Sequence, residues 1–262
     1  MKISHLITWF EKWADPNWCE KWDNCGWQIE PGVLNLEARV LVCLTPTLAV
    51  MQEAIALHAN MIFAHHPLIF NPPKSFRTGD ALTEMMRLAF AHNIGIYSAH
   101  TNFDQVADGT ADVLAQLLQL QEVSPIVPTQ NGLGYGRVGN LIKTTTLENL
   151  LKNIQTQLNP PKLIFSPTVN LQEQISRVAV LGGSGAGYIS AVVNTKAQVY
   201  LTADCKFHQF QESRDRGIIL IDAGHYATER PACDRLVRKF QELNLDMVKL
   251  SKEDEDFRQF FI

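Results

Sequence analysis

Three short polar segments each stand at the end of an apolar run: Ala64-His65-His66-Pro67, His100-Thr101-Asn102-Phe103-Asp104 and Gly224-His225-Tyr226-Ala227-Thr228-Glu229. Together they offer four histidines and two carboxylates, a nitrogen and oxygen donor set for one or two divalent metals. Asp104 follows His100 by four residues, and Glu229 follows His225 by four. That spacing puts both side chains on one face of a helical turn. His65 and His66 are adjacent, so in a regular strand their side chains diverge and would serve different ions. Two metals about 3.5–4 Å apart, clamped by a bridging carboxylate, make hydroxide near neutral pH and stabilise developing negative charge. A lone histidine in a loop is usually a hydrogen-bonded surface residue, and His5, His58 and His92 read that way. Three such segments in one chain move the balance towards a metal site.

The elements that must position these groups follow from hydrophobic spacing. Helices are expected over 4–13 (capped by Ser4), 47–59 (capped by Thr47), 80–92, 109–118, 146–158, 188–194, 205–216 and 228–244. Apolar runs of strand type cover 39–44, 60–64, 95–99, 177–181, 199–202 and 217–222. This alternation predicts an α/β fold of βαβ units with mixed, mainly parallel sheets flanked by helices. Functional groups in such sheets gather beyond the carboxyl ends of the strands, where His65, His100 and His225 fall. The Pro- and Gly-rich stretch 124–139 is the expected boundary between a first lobe, 1–124, and a second, 125–262. The lobes resemble each other: run 60–65 has a counterpart in 198–204, and 95–100 has one in 217–222. The charged tail 251–256 is expected to fray.

Composition narrows the function. The 262 residues are 46% hydrophobic, enough for one large domain or two small ones with real cores. A net charge of −4 argues against wholesale wrapping of nucleic acid. The five cysteines, Cys19, Cys25, Cys43, Cys205 and Cys233, form no Cys-x-x-Cys pair. Reduced thiols and a cytoplasmic location are expected rather than a disulfide framework. No signal peptide or membrane span is expected, because no apolar run reaches the needed length. The turn Gly182-Gly183-Ser184-Gly185-Ala186-Gly187 opens a helix and could hold phosphate, but Tyr188 stands where a P-loop has lysine. A tight strand-to-helix turn explains it equally well. Asp23-Asn24-Cys25-Gly26-Trp27-Gln28 reads as a loop, and Trp9, Trp13, Trp18, Trp22 and Trp27 as core or interface anchors.

In combination these motifs resemble the NIF-three-like family, whose bacterial members are called GTP cyclohydrolase I type 2 homologues. The resemblance rests on Asp23 to Gln28, His65-His66-Pro67-Leu68, His100 to Asp104, Gly182 to Gly185, Thr202-Ala203-Asp204 and Asp222 to Glu229, which cover nearly the whole chain in order. It implies two similar α/β lobes with a dinuclear metal site in the cleft between them. The metal ligands it implies are His65, His66, Asp104, His225 and Glu229, with Glu229 bridging. His100, Asp204 and His208 are implied as supporting or acid/base groups. It further implies two divalent ions per subunit and a toroidal homohexamer, a trimer of dimers. The chain departs from the family pattern at Cys43-Leu44-Thr45-Pro46 and at Ala203, neither of which is an implied ligand.

The function implied is a metal-dependent hydrolase acting on a small molecule, with GTP opened at its imidazole ring as the leading substrate. In that chemistry a metal-generated hydroxide attacks C8, and His100 or His208 shuttles protons. A non-enzymatic metal-binding scaffold, contacting a regulatory partner or nucleic acid, is the main rival. Lys143, Lys152, Lys162 and scattered arginines are its only basic support. Hydrolysis of another phosphate ester or a cyclic amide is the third reading.

Overall fold

The computed structural model describes residues 1–261 other than 31, 33, 131, 168 and 169. In chain order the elements are α1 (Ile3–Trp13), β1 (Gly26–Ile29), β2 (Arg39–Cys43), α2 (Leu48–Ala56), β3 (Met61–Ala64), α3 (Ala81–His92), β4 (Gly95–Ser98), α4 (Thr101–Gln105) and α5 (Thr110–Leu117). There follow β5 (Gln121–Ser124), β6 (Val127–Pro128), β7 (Gly134–Tyr135), β8 (Arg137–Thr146), α6 (Leu147–Leu158), β9 (Ile164–Phe165), β10 (Gln174–Val180) and α7 (Ile189–Asn194). The chain ends with β11 (Val199–Thr202), α8 (Phe207–Asp215), β12 (Ile219–Asp222), α9 (His225–Gln241) and β13 (Met247–Leu250). No helix among the described residues is long and apolar enough to cross a membrane.

Contacts divide the chain into two units, Met1–Phe103 with Cys233–Phe257, and Asp104–Ala232 with Arg258–Ile262. The stretch 124–139 therefore lies inside the second unit. It carries the short antiparallel pair β6–β7 and the first residues of β8, a ten-residue strand that its Pro- and Gly-rich approach hides from a periodicity reading.

The first unit holds a five-stranded sheet in the order β1-β4-β3-β2-β13. The three pairings among β13, β2, β3 and β4 are parallel, and β1 joins β4 antiparallel at the edge. Strands β3 and β4 are buried at every position, as a sheet covered on both faces requires. One face packs Leu41, Ile62 and Ile96 against Met51, Ala54 and Met85 of α2 and α3. The other face is aromatic: Phe10 of α1 meets Phe63 at 4.7 Å between ring centroids, and Phe240 of α9 meets Phe63 at 4.9 Å. Thr47 caps α2 as expected, accepting from Val50 N at 3.2 Å. Ser4 does not cap α1, which starts one residue earlier with extended Lys2 at its N-cap. The tail does not fray either. Ser251 N donates to Val42 O at 2.8 Å, continuing the β13–β2 ladder, and Asp254 accepts from Leu44 N at 2.8 Å.

The second unit holds a six-stranded sheet, β5-β8-β10-β11-β12-β9. Its centre, β10-β11-β12, is parallel, while β8, β5 and β9 are antiparallel additions. Leu201, Ile221 and Val180 face α5 and α6 through Leu114, Leu150 and Ile154, and Tyr200 and Leu220 face α7. The parallel triplet β2-β3-β4 of one unit thus has its counterpart in β10-β11-β12 of the other. The strand pairs matched by sequence, β3 with β11 and β4 with β12, occupy equivalent places. The α/β class and mixed sheets are those expected.

Candidate metal centre

In the first unit the donors come from the ends of two neighbouring parallel strands. Ala64 of β3 pairs with Ser98 of β4, so residues 65–66 and 100 emerge side by side. β3 stops at Ala64, and both His65 and His66 lie in the bend before Pro67. The divergence expected of neighbours in a regular strand therefore does not apply. Their rings stand 5.2 Å apart, and His100 lies 5.1 Å from His65 and 5.6 Å from His66 between centroids. One nitrogen of each of the three rings lies within 4.8 Å of the others.

Each ring is held through Nδ1. His65, fully buried, places Nδ1 2.7 Å from Ala99 O. A carbonyl only accepts, so Nδ1 carries the proton and Nε2 the lone pair. His66 Nδ1 lies 2.8 Å from Thr45 Oγ1, and His100 Nδ1 lies 2.8 Å from Asp23 Oδ1. Asp23 also accepts from Thr101 Oγ1 at 2.6 Å, Thr101 N at 3.1 Å and Asn24 N at 2.8 Å. Burial alone would raise the Asp23 pKa, but the hydrogen bonds from His100 and Thr101 outweigh it and hold the carboxyl well below its usual range.

The Asp23–Gln28 loop is thus part of the site's support. Asn24 Nδ2 donates to Ile69 O at 2.7 Å and Ile69 N donates to Gln28 Oε1 at 3.1 Å, tying this loop to the one that follows His66. The sequence shows a turn there, but not the His100 partner of Asp23, which is 77 residues away. Trp22, expected as a core or interface anchor, lies outside the core: it is 60% exposed, 6.0 Å from Phe70 and 6.2 Å from His100 between centroids.

In the second unit the donors come from a helix start. α9 begins at His225, three residues before the expected position, so His225 and Glu229 share one face of its first turns. His225 Nε2 and Glu229 Oε2 are 2.8 Å apart, and His225 Nδ1 lies 2.6 Å from Asp204 Oδ2. Asp204 follows β11 and is reached by Arg258 Nη1 at 3.5 Å. Burial disfavours the His225 imidazolium, but the hydrogen bonds to Asp204 and Glu229 overcome it and push the pKa up to about 10. The same bond from His225 lowers the pKa of Asp204.

The glycine-rich turn packs onto this pair. A Cβ added at Gly183 would lie 2.0 Å from Glu229 Oε1 and 3.3 Å from His225 Nε2, and its φ of +65° is itself left-handed. Gly183 N donates to Thr228 Oγ1 and Gly185 N to Thr202 Oγ1, both at 3.0 Å. Two of the turn's N–H groups are therefore committed inside the protein. The tight-turn reading accounts for the segment: glycine lets the backbone close on the carboxylate.

The remaining implied residues are placed as follows. Asp104 is half-buried on α4, in the second unit. His208 is exposed on the first turn of α8 and makes no hydrogen bond or ion pair among the described residues. The donor chemistry fits a divalent transition metal. Four imidazoles are each anchored at Nδ1 to a carbonyl, a hydroxyl or a carboxylate, the outer partners that orient histidine ligands and fix their tautomer.

Residues 1–255 match the family model described as Duf34/NIF3 (NGG1p interacting factor 3). A Nostoc sp. (strain PCC 7120) protein named GTP cyclohydrolase 1 type 2 homolog is 76% identical over 262 residues, covering 100% of both chains. The Schizosaccharomyces pombe protein NIF3 homolog is 31% identical over 258 residues, covering 92% of each chain. Among solved structures, a Staphylococcus aureus hypothetical protein aligns with a TM-score of 0.90 at 27% identity, covering 100% of this chain and 99% of that one.

Proposed function

The chain belongs to the Duf34/NIF3 family, and from that premise we propose that it is a metal-dependent hydrolase whose two divalent ions would be held by His65, His66, Asp104, His225 and Glu229. The observation that carries the reading is the shared second layer of the four histidines. Each Nδ1 is engaged at 2.6–2.8 Å, so each ring is held in a fixed orientation. Structural histidines have no need of so uniform a plan. Bound ions of this class supply Lewis acidity and acidify water.

The chain's own residues then divide the work. Asp204 orients His225. The ionised Asp23 holds the proton on His100 Nδ1, which leaves His100 Nε2 as the atom that takes or gives a proton. The name carried by the Nostoc relative directs the substrate reading to GTP and opening of its purine imidazole ring, with formate as a product.

Protein loaded separately with zinc, manganese, iron or cobalt and incubated with GTP should release formate. No release with any of the four removes the GTP assignment and leaves the ligand set standing. The ligand set is tested apart from activity, by elemental analysis of Glu229→Ala. Retention of two ions per chain in that variant would refute it.

A further inference from the structure

One group of donors in the first unit is left over from the histidine site: the two thiols of Cys19 and Cys25 beside Asp23. We propose that Cys19, Asp23 and Cys25 form a separate cation site for a soft or borderline divalent ion such as zinc or cadmium. One donor atom from each of the three lies within 4.8 Å of the others. The thiols both point at one oxygen: Cys19 Sγ is 3.4 Å and Cys25 Sγ 3.2 Å from Asp23 Oδ2. In a tetrahedral zinc site with metal–sulfur and metal–oxygen bonds of about 2.3 and 2.0 Å, the sulfur-to-oxygen edge is about 3.5 Å. Both sulfur-to-oxygen edges thus stand within a few tenths of an ångström of ligand spacing.

Geometry favours the exchange, and charge balances across it. Two S–H protons now converge on one carboxylate oxygen. A divalent ion replaces both protons, forming two metal–sulfur bonds and releasing two protons to solvent, so the net charge is unchanged. Asp23 does not have to turn to receive it, because Thr101 N and Oγ1 continue to hold the same oxygen. The turn carrying the donors is fixed by bonds that do not involve the thiols: Cys19 N to Pro16 O at 3.1 Å, Asp23 N to Glu20 O at 2.9 Å and Glu20 N to Thr101 Oγ1 at 3.0 Å. Cys19 and Cys25 are half-buried, which gives an ion access and leaves the fourth position to water. The site also reaches the histidines chemically. Asp23 Oδ1 stays on His100 Nδ1, so an ion on Oδ2 draws charge from the carboxylate that supports His100.

Cobalt(II) titrated into the reduced full chain tests this directly. Thiolate-to-cobalt charge transfer in the near ultraviolet comes only from sulfur ligands and is silent for histidine and glutamate donors. The band should appear, saturate at one ion per chain, and vanish in Cys19→Ser and Cys25→Ser. It should persist in Cys205→Ser, His65→Ala and Glu229→Ala, which separates this site from the histidine reading. A second measurement needs no variant: cadmium should protect Cys19 and Cys25 of the native chain from alkylation, read by peptide mass. No band at saturating cobalt, a band unchanged in both serine variants, or alkylation indifferent to cadmium would overturn the proposal. So would an intact mass lower by two hydrogens with no band recovered after reduction, which would make the pair a disulfide instead.

Discussion

The two histidine groups are built on opposite plans. In the first unit three imidazoles meet at the ends of adjacent parallel strands, and two of the three lean on neutral partners, Ala99 O and Thr45 Oγ1. In the second a single imidazole lies between two carboxylates, Asp204 and Glu229, at the start of a helix. The first group has each ring fixed through Nδ1 by a different partner. The second already satisfies itself, with a proton on His225 standing in the place of a cation, and an ion must part His225 from Glu229 before it binds both. The strand-end group is therefore oriented by partners that are not themselves proposed ligands. The helix-start group needs room for Glu229 to part from His225, and Gly183, where a Cβ would lie 2.0 Å from Glu229 Oε1, leaves the carboxylate that room.

The comparison breaks most severely at that glycine. Gly183→Ala forces a Cβ into the Glu229 carboxylate and imposes a left-handed backbone on a residue with a side chain. Such a conformation costs about 1–3 kcal/mol before the clash is counted. A melting temperature lower by several degrees is expected, since 1 kcal/mol moves a chain of about this size by roughly 2–4 °C. Metal content should fall as far as it does in Glu229→Ala. Calorimetry with elemental analysis of the same preparation checks both, and full metal content in Gly183→Ala would mean that Glu229 needs no help from the turn.

Asp23→Asn comes next and tests the first unit. The amide keeps the shape and loses the charge that fixes the His100 proton. Loss of such an outer partner typically costs about 10–100-fold in activity or metal affinity. Turnover should drop by that factor while His65 and His66, anchored elsewhere, keep their orientation. An NMR spectrum of the imidazole nitrogens should show a changed tautomer for His100 alone. Equal changes at His65 would mean that the three rings behave as one network.

What sequence made legible, and what it did not, follows the same division. Strand ends and helical turns are local, so the candidates His65, His66, His100, His225 and Glu229 stand out from apolar runs and from spacings of four. The partners that orient them are not local. Asp23 is 77 residues from His100, and Thr45 is 21 from His66, with no periodicity to connect them. The docking of the tail was hidden for a related reason. Its charges read as solvated, yet Asp254 closes on the N–H groups of Leu44 and Thr45, 210 and 209 positions away, because β13 pairs in register with β2. β8 was missed because glycines and prolines crowd its approach, although its first three residues are buried.

Thr45→Val offers a finer cut at the neutral half. It removes the hydroxyl that sits against His66 Nδ1 and nearly preserves volume. The net loss for one such hydrogen bond is about 0.5–1.5 kcal/mol. Metal affinity should weaken by less than the loss in Asp23→Asn, with the fold intact. A larger effect would show that hydroxyl support matters as much as carboxylate support, and the contrast between neutral and charged partners would lose its force.

His208→Ala is the smallest change and the sharpest control. His208 shares residue type with the four anchored histidines but none of their anchoring, since it is exposed on α8 without a hydrogen bond or ion pair among the described residues. Orientation by a second partner, rather than the mere presence of an imidazole, is what the comparison holds to matter. Its removal should leave stability within about 0.5 kcal/mol, the range of ordinary surface substitutions, and leave metal content unchanged. If turnover nonetheless falls by an order of magnitude or more in His208→Ala, a mobile surface histidine carries the proton, and fixed anchoring at Nδ1 is not the mark of the residues that do the chemistry.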